Sequence, residues 1–361
     1  MERFAFLLHP LRVNDLKKKF TMLKPVPDSM VERMFSKVPP FKVSKITGVV
    51  SATGIEAEGY FIALPLTPRM LMEMPWPKVK QKLIAAGHLA EDLGAEILGL
   101  GAFTKVVGDR GISVNEALRI PVTTGNSYTA ATSVETALMG ASRIGHDLTN
   151  IEATVIGASG AIGRAVSLLL AEKVGKIRLV ARHTGPLEAV KNEIERTSSA
   201  EVTVDTDVRQ SVKNSQMVLT VSSATDVLLH PEDLRSGSVV CDVARPRNVS
   251  RAVKEKRQDV LVVDGGVIAV PGPVNFNFDF GFPQGMAEAC IAETMILALS
   301  KRYEPFSLGS ELSLSKTREI MQLGTQHGFE VAGFRRFEEA ISDDEIEKIR
   351  SHYQRTDFML A

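Results

Sequence analysis

Three glycines in seven residues, Gly157-Ala158-Ser159-Gly160-Ala161-Ile162-Gly163, stand between an apolar run, Ala153-Thr-Val-Ile156, and a helical pattern from Ile162 to Val174. A chain that leaves a strand sharply, lets its backbone approach a pyrophosphate and then lays a helix against that strand needs residues without a Cβ at each step. The first turn of the helix offers unpaired N–H groups and partial positive charge to phosphate. The spacing is G-x-x-G-x-x-G, a variant of the dinucleotide fingerprint, and its setting between strand and helix gives it weight. Residues 157–163 are therefore expected to bind a nucleotide. Further β-branched runs follow at Lys176–Ala181, Val202–Val204, Met217–Ser222, Ser238–Val243 and Val260–Val263, with a helix from Leu187 to Arg196. Parallel strands need crossover helices, so this alternation predicts a Rossmann-type α/β domain over 149–268 with a doubly wound parallel sheet.

The second strand of that domain ends at Arg182, where an NAD-selective site usually carries an acidic residue for the ribose 2′-hydroxyl. A guanidinium can pair with a 2′-phosphate, so NADPH is the expected cofactor, with a solvated surface arginine as the alternative. Ser222, Gly265 and Gly266 fall at the ends of later strands, where a cofactor would lie, and could equally form structural turns.

The first 148 residues read as a separate substrate domain, also α/β. A strand-like Thr47–Ser51 leads to Tyr60–Leu64, and Val79, Leu83, Ala86, Ala90 and Leu93 repeat at helical spacing. His88 lies opposite that stripe and is expected to face solvent, with an orientation into the cleft as the alternative, and Lys78, Lys80 and Lys82 are expected to be solvated. Met70-Leu-Met72-Glu-Met74-Pro-Trp76 reads as core, with a site for a long acyl chain or a partner surface as the alternative. A second helix, from Asn126 to about Gly145, leads into the Rossmann domain. After residue 268 a Pro/Gly loop, a helix from about Gln284 to Ser300 and a tail to 361 are expected to return and pack on the first domain.

Lys plus Arg number 43 and Asp plus Glu 43, a balance that argues against nucleic acid as a partner. With two cysteines, Cys241 and Cys290, the chain carries no disulfide framework and no cysteine-rich metal site. The seven histidines lack ligand spacing, so no metal is expected. No apolar run is long enough to span a bilayer, and a cytoplasmic protein without stable membrane insertion is expected.

Several motifs coincide with one family. Val49-Val-Ser51-Ala52-Thr53-Gly54, Gly99-Leu-Gly101-Ala-Phe103-Thr104, Thr123-Thr124-Gly125-Asn126-Ser127, the glycine turn and Met286-Ala-Glu-Ala-Cys290-Ile-Ala-Glu293-Thr-Met295 resemble, in order, their counterparts in the long-chain acyl-[acyl-carrier-protein] reductases, from about residue 45 to His327-Gly-Phe329. The resemblance implies NADPH-dependent reduction of a fatty acyl thioester, carried by acyl carrier protein or coenzyme A, to an aldehyde through an acyl-cysteine, with Cys290 at the nucleophile position. An aldehyde product leaves room for an aldehyde-consuming partner. Residues 242–249, Asp242-Val-Ala-Arg245-Pro246-Arg-Asn248-Val, instead resemble the matching turn of glutamyl-tRNA reductases and shikimate dehydrogenase-like proteins, and the first 45 residues match poorly.

On its own chemistry, Cys290 would sit in the first two turns of a helix, where a thiol pKa is lowered, on a stripe with Met286, Glu293 and Leu297. The alternative is a small buried hydrophobe, which is also the reading for Cys241. Thioester reduction needs oxyanion donors, and Thr124, Gly125, Asn126 and Ser127 could supply them; helix capping by Asn126 or Ser127 is the competing role. Two other functions stay open: a shikimate dehydrogenase-like oxidoreductase of a small hydroxy acid, and a non-catalytic NADPH-binding regulatory module. The first domain offers no convincing catalytic lysine for the former. A glutamyl-tRNA reductase would need its cysteine in that domain.

Overall fold

A computed structural model describes residues 1–224 and 226–360, with residues 355–360 as backbone alone. Contacts divide the chain into two units. The first comprises Met1–Gly125, Ile268–Glu311 and Glu319–Glu330; the second comprises Asn126–Val267, Leu312–Arg318 and the chain from Val331 onward.

The first unit is built on strands β1 (Glu2–Leu8), β2 (Phe41–Val50), β3 (Glu56–Ala63), β4 (Leu98–Leu100) and β5 (Val122–Thr123), in the order β2-β3-β1-β4-β5. β2 runs antiparallel to β3, and the other pairs are parallel. The central strand, β1, is the element that sequence reading misses. Its Phe4–Leu7 are buried as a continuous apolar run, which is how a strand covered on both faces reads, and so short a run shows no period. The helix Trp76–Asp92 lays Val79, Leu83, Ala86 and Ala90 into the core, as its spacing predicts. Lys82 departs from expectation: it is half-buried and donates to the Val38 carbonyl at 2.9 Å. The methionine stretch forms a short helix, Pro68–Glu73, capped by Thr67, with Met70 and Leu71 buried and Met72 62% exposed.

The helix expected from Gln284 starts later. Met286–Glu288 is extended, and the helix is Ala289–Leu299, buried at every residue and packed on β1, β3 and β4. Met286 therefore leaves the stripe proposed for Cys290.

The second unit carries β6 (Glu152–Ile156), β7 (Lys176–Val180), β8 (Glu201–Asp205), β9 (Met217–Thr220), β10 (Val239–Asp242) and β11 (Leu261–Asp264), all parallel in the order β11-β10-β9-β6-β7-β8. This is the Rossmann-type doubly wound sheet. Strand order reverses between β6 and β9, and the carboxyl ends at such a reversal form the ligand crevice of open α/β sheets. The glycine turn follows β6 and Ser222 lies just past β9, so both fall there.

The helix Asn126–Ile144 packs on Ala161–Ala171 and β10, and belongs to the second unit rather than to residues 1–148 as drawn from the sequence. The tail departs from expectation in the same way. Ile341, Ile346 and Ile349 join Ala137, Ala141 and Ile144 in one core, Arg143 pairs with Asp343, and the rings of His146 and Tyr353 lie 4.5 Å apart. Apolar residues on the final helix, Asp343–Leu360, complete the second unit, whereas the Cys290 helix completes the first. We predict that Ile349→Ala destabilises the protein by about 2–4 kcal/mol, read by urea unfolding, because the truncation leaves a cavity in that core. A loss below about 0.5 kcal/mol, the range of surface changes, would show that the tail is not part of it.

Candidate functional site

The first unit presents Cys290 as the second residue of a helix whose N-cap, Glu288, is extended and makes no side-chain cap bond. The Cys290 thiol, in a residue 4% exposed, instead donates to Glu288 Oε2 at 3.7 Å. Opposite lies the turn after β5. Gly125 has φ +70, and a Cβ there would stand 2.2 Å from Cys290 Cα and 2.3 Å from its Cβ. Conformation and clearance both exclude a side chain, so the turn rests directly on the cysteine backbone. β4 reaches the same helix closely, since a Cβ on Gly99 would meet Thr294 Oγ1 at 2.2 Å.

One turn along, the wholly buried Glu293 carboxylate organises these neighbours. The Thr123 hydroxyl donates to Glu293 Oε1, and Ser307 Oγ donates to the same oxygen at 2.8 Å. Thr123 Oγ1 in turn accepts the Gly125 N–H at 3.3 Å. Thr124 donates to the Ser307 carbonyl. Of the four residues expected as oxyanion donors, Gly125 rests on the Cys290 backbone with its N–H on Thr123, and Thr124 has its hydroxyl on the Ser307 carbonyl. Asn126 and Ser127 begin the helix of the second unit, where Asn126 Oδ1 is buried without a hydrogen bond.

Burial pushes the Cys290 thiol up to about 12; the Lys105 cation opposes this, and the Glu288 and Glu293 carboxylates add to it. The helix start expected to lower the thiol pKa is present, but burial among carboxylates outweighs it. His9 cannot act as a base in this state. Its Nε2 accepts the Phe103 N–H at 2.9 Å, its Nδ1 pairs with the Pro10 carbonyl at 3.0 Å, and burial holds it down to about 4. Sequence reading missed Glu288, Lys105, His9, Thr123 and Ser307. Thr123 and Glu288 lie inside the quoted motifs and could have been found there, whereas the others reach Cys290 only through folding.

In the second unit the residues fit a dinucleotide. Gly157 has φ +90, and a Cβ there would strike the Ser222 backbone at 2.9 Å. A Cβ on Gly163 would strike the Gly157 carbonyl oxygen at 2.0 Å, so the turn and its helix need both glycines for packing. Gly160 differs. A Cβ there would meet the Gly157 carbonyl oxygen at 3.4 Å, an ordinary contact, and Ser159 and Gly160 are exposed at the start of Ala161–Ala171, whose N-cap carries no side-chain bond. The open cradle is what a phosphate would fill. Ala158 is buried beneath it, with Ala161 and Ile162 half-buried. Arg182 is exposed. Gly265 and Gly266 have a structural explanation instead: Cys241 Sγ and Val243 stand 2.8 Å from where a Gly265 Cβ would be, and Gly266 turns the chain at φ +75. Cys241 is fully buried, its thiol donating to the Ser133 carbonyl at 3.6 Å. The loop after β10 is tied to Asp242, which accepts from Thr220 at 2.7 Å and from the Ala244 and Val249 N–H groups at 3.1 Å each.

Residues 139–265 match the family model described as shikimate / quinate 5-dehydrogenase. The chain is 30% identical over 366 residues to the aminotransferase PigE of a Serratia species, covering 97% of this chain and 42% of that protein, so it spans less than half of that relative's length. It is 27% identical over 311 residues to the long-chain acyl-[acyl-carrier-protein] reductase of Synechococcus elongatus, covering 82% of this chain and 89% of that protein. The quinate dehydrogenase of Corynebacterium glutamicum, solved with NAD, is similar at 13% identity and a TM-score of 0.39, covering 89% of this chain and 98% of that one. Among the described residues no helix is long and apolar enough to cross a membrane.

The raised thiol predicts a specific pH dependence. The thiol stays protonated well above the ordinary cysteine pKa of about 8.5. Alkylation of Cys290 by iodoacetamide should therefore climb about tenfold per pH unit from pH 7 to 10 without levelling. A plateau near pH 8 would show that the helix start and Lys105 prevail over burial.

Proposed function

We propose that the protein reduces a fatty acyl thioester to an aldehyde with NADPH, through an acyl group held on Cys290. The coarse class, an NAD(P)-dependent oxidoreductase, rests on the parallel sheet with its glycine turn and on the dehydrogenase model matched by residues 139–265. The finer reading is carried by the thiol at the start of the Ala289–Leu299 helix, hydrogen-bonded to a carboxylate and overlaid by the Gly125 turn. The named activity of the Synechococcus relative supports it.

In this reading the Cys290 sulfur attacks the thioester carbon and expels the carrier thiol, of acyl carrier protein or coenzyme A, leaving the acyl group as a thioester on the enzyme. The N–H groups of the first helical turn, left uncapped by Glu288, and the Lys105 cation stabilise the developing oxyanion. NADPH, when bound, supplies a hydride. The Gly157–Gly163 turn holds its pyrophosphate, and Arg182 pairs with the 2′-phosphate. An enzyme that consumes the aldehyde is the partner this chemistry calls for.

The test is NADPH oxidation with direct detection of aldehyde, using acyl-carrier-protein and acyl-coenzyme A thioesters. Wild type should yield aldehyde and Cys290→Ser none. The family-model match favours a second reading, a small hydroxy acid dehydrogenase, under which Cys290→Ser would keep full turnover. NADPH binding without turnover on any substrate would point to a regulatory module. Arg182→Ser should raise the KM for NADPH about 10- to 100-fold, the worth of one charge-assisted phosphate contact, and leave that for NADH within about twofold. Equal effects on both would remove Arg182 from the cofactor site.

A further inference from the structure

We propose that Glu288 is the proton acceptor for the Cys290 thiol during acyl transfer, an assignment that rests on the thioester reading above. A thiol held protonated must lose its proton as it attacks, and the groups that face it narrow the choice. Lys105 is a cation with no lone pair to offer. Glu293 accepts from Thr123 and Ser307 on one carboxylate oxygen and holds the Gly125 turn in place. The His9 ring uses Nε2 to accept the Phe103 N–H and has its remaining nitrogen on Pro10. Glu288 Oε2, by contrast, already accepts the thiol proton in a hydrogen bond of 3.7 Å. Its residue occupies the N-cap, yet its side chain makes no cap bond. At this position the carboxylate touches the sulfur and does not cap the helix.

The step balances. As the bond from Sγ to the acyl carbon forms, the S–H becomes acidic and its proton passes to Glu288 Oε2. As the bond from that carbon to the carrier sulfur breaks, the departing thiolate takes the proton back. Glu288 ends as it began, and no oxidant or reductant enters.

Two rates in the intact protein test this. The first is acyl-enzyme formation from palmitoyl-coenzyme A without NADPH, followed by mass spectrometry. The second is alkylation of Cys290 by iodoacetamide at pH 8. Glu288→Gln should slow acylation about 100-fold, the lower range of a lost general base. It should also speed alkylation several-fold, because removing a neighbouring anion eases thiol ionisation. A purely structural role would not move the two rates in opposite directions. Glu288→Asp, which keeps the carboxylate and remains a good N-cap, should recover at least a tenth of the wild-type acylation rate. Acylation by Glu288→Gln within about threefold of wild type, or Glu288→Asp no faster than Glu288→Gln, overturns the base assignment alone. Absence of acyl-enzyme in the wild type with palmitoyl-coenzyme A and with palmitoyl-acyl carrier protein alike overturns the thioester reading and this inference with it.

Discussion

The first unit depends on burying one helix completely. Ala289–Leu299 lies against three strands with no residue left at the surface, so each of its polar groups has to be matched inside the protein. The most demanding is the Glu293 carboxylate, and matching it draws together parts of the chain far apart in sequence. Thr123 comes from the end of β5 and Ser307 from the segment beyond the helix. Thr294, next along, returns its hydroxyl to the Cys290 carbonyl at 3.2 Å. The residues that satisfy the helix are thereby the residues that build the surroundings of the thiol.

That arrangement has an electrostatic consequence. A helix start is ordinarily a favourable place for an anion, and Lys105 adds a cation. Burial and two carboxylates work against ionisation and win, because desolvating a thiolate is more costly than a partial dipole charge can offset. A thiol kept protonated at rest is protected from indiscriminate oxidation and alkylation. The second unit meets its own charge differently. Its Gly160 cradle is open and exposed, with uncapped N–H groups awaiting an anion from outside the protein.

Legibility followed the range of the interactions. The β6–Gly157–helix unit could be read because strand, turn and helix are consecutive, and each glycine answers a local steric demand. The strands of the second sheet were legible within one or two residues for the same reason. β1 was not, since a short strand buried on both faces has no alternation. The Cys290 helix starts five residues later than its expected start at Gln284, because Gly285 turns the chain at φ +81 and Met286–Glu288 runs extended.

By itself the sequence determined the Rossmann-type sheet, the glycine turn and the presence of a cysteine beside acidic residues, all of which follow from local periodicity and steric need. Tertiary structure decided which carboxylate touches the sulfur, where Gly125 comes to rest, and which unit receives the C-terminal helix. Those outcomes rest on contacts between residues as far apart as Thr123 and Glu293, or Arg143 and Asp343. Such pairings are chosen by how apolar faces are covered and buried polar groups satisfied, and no local pattern encodes them.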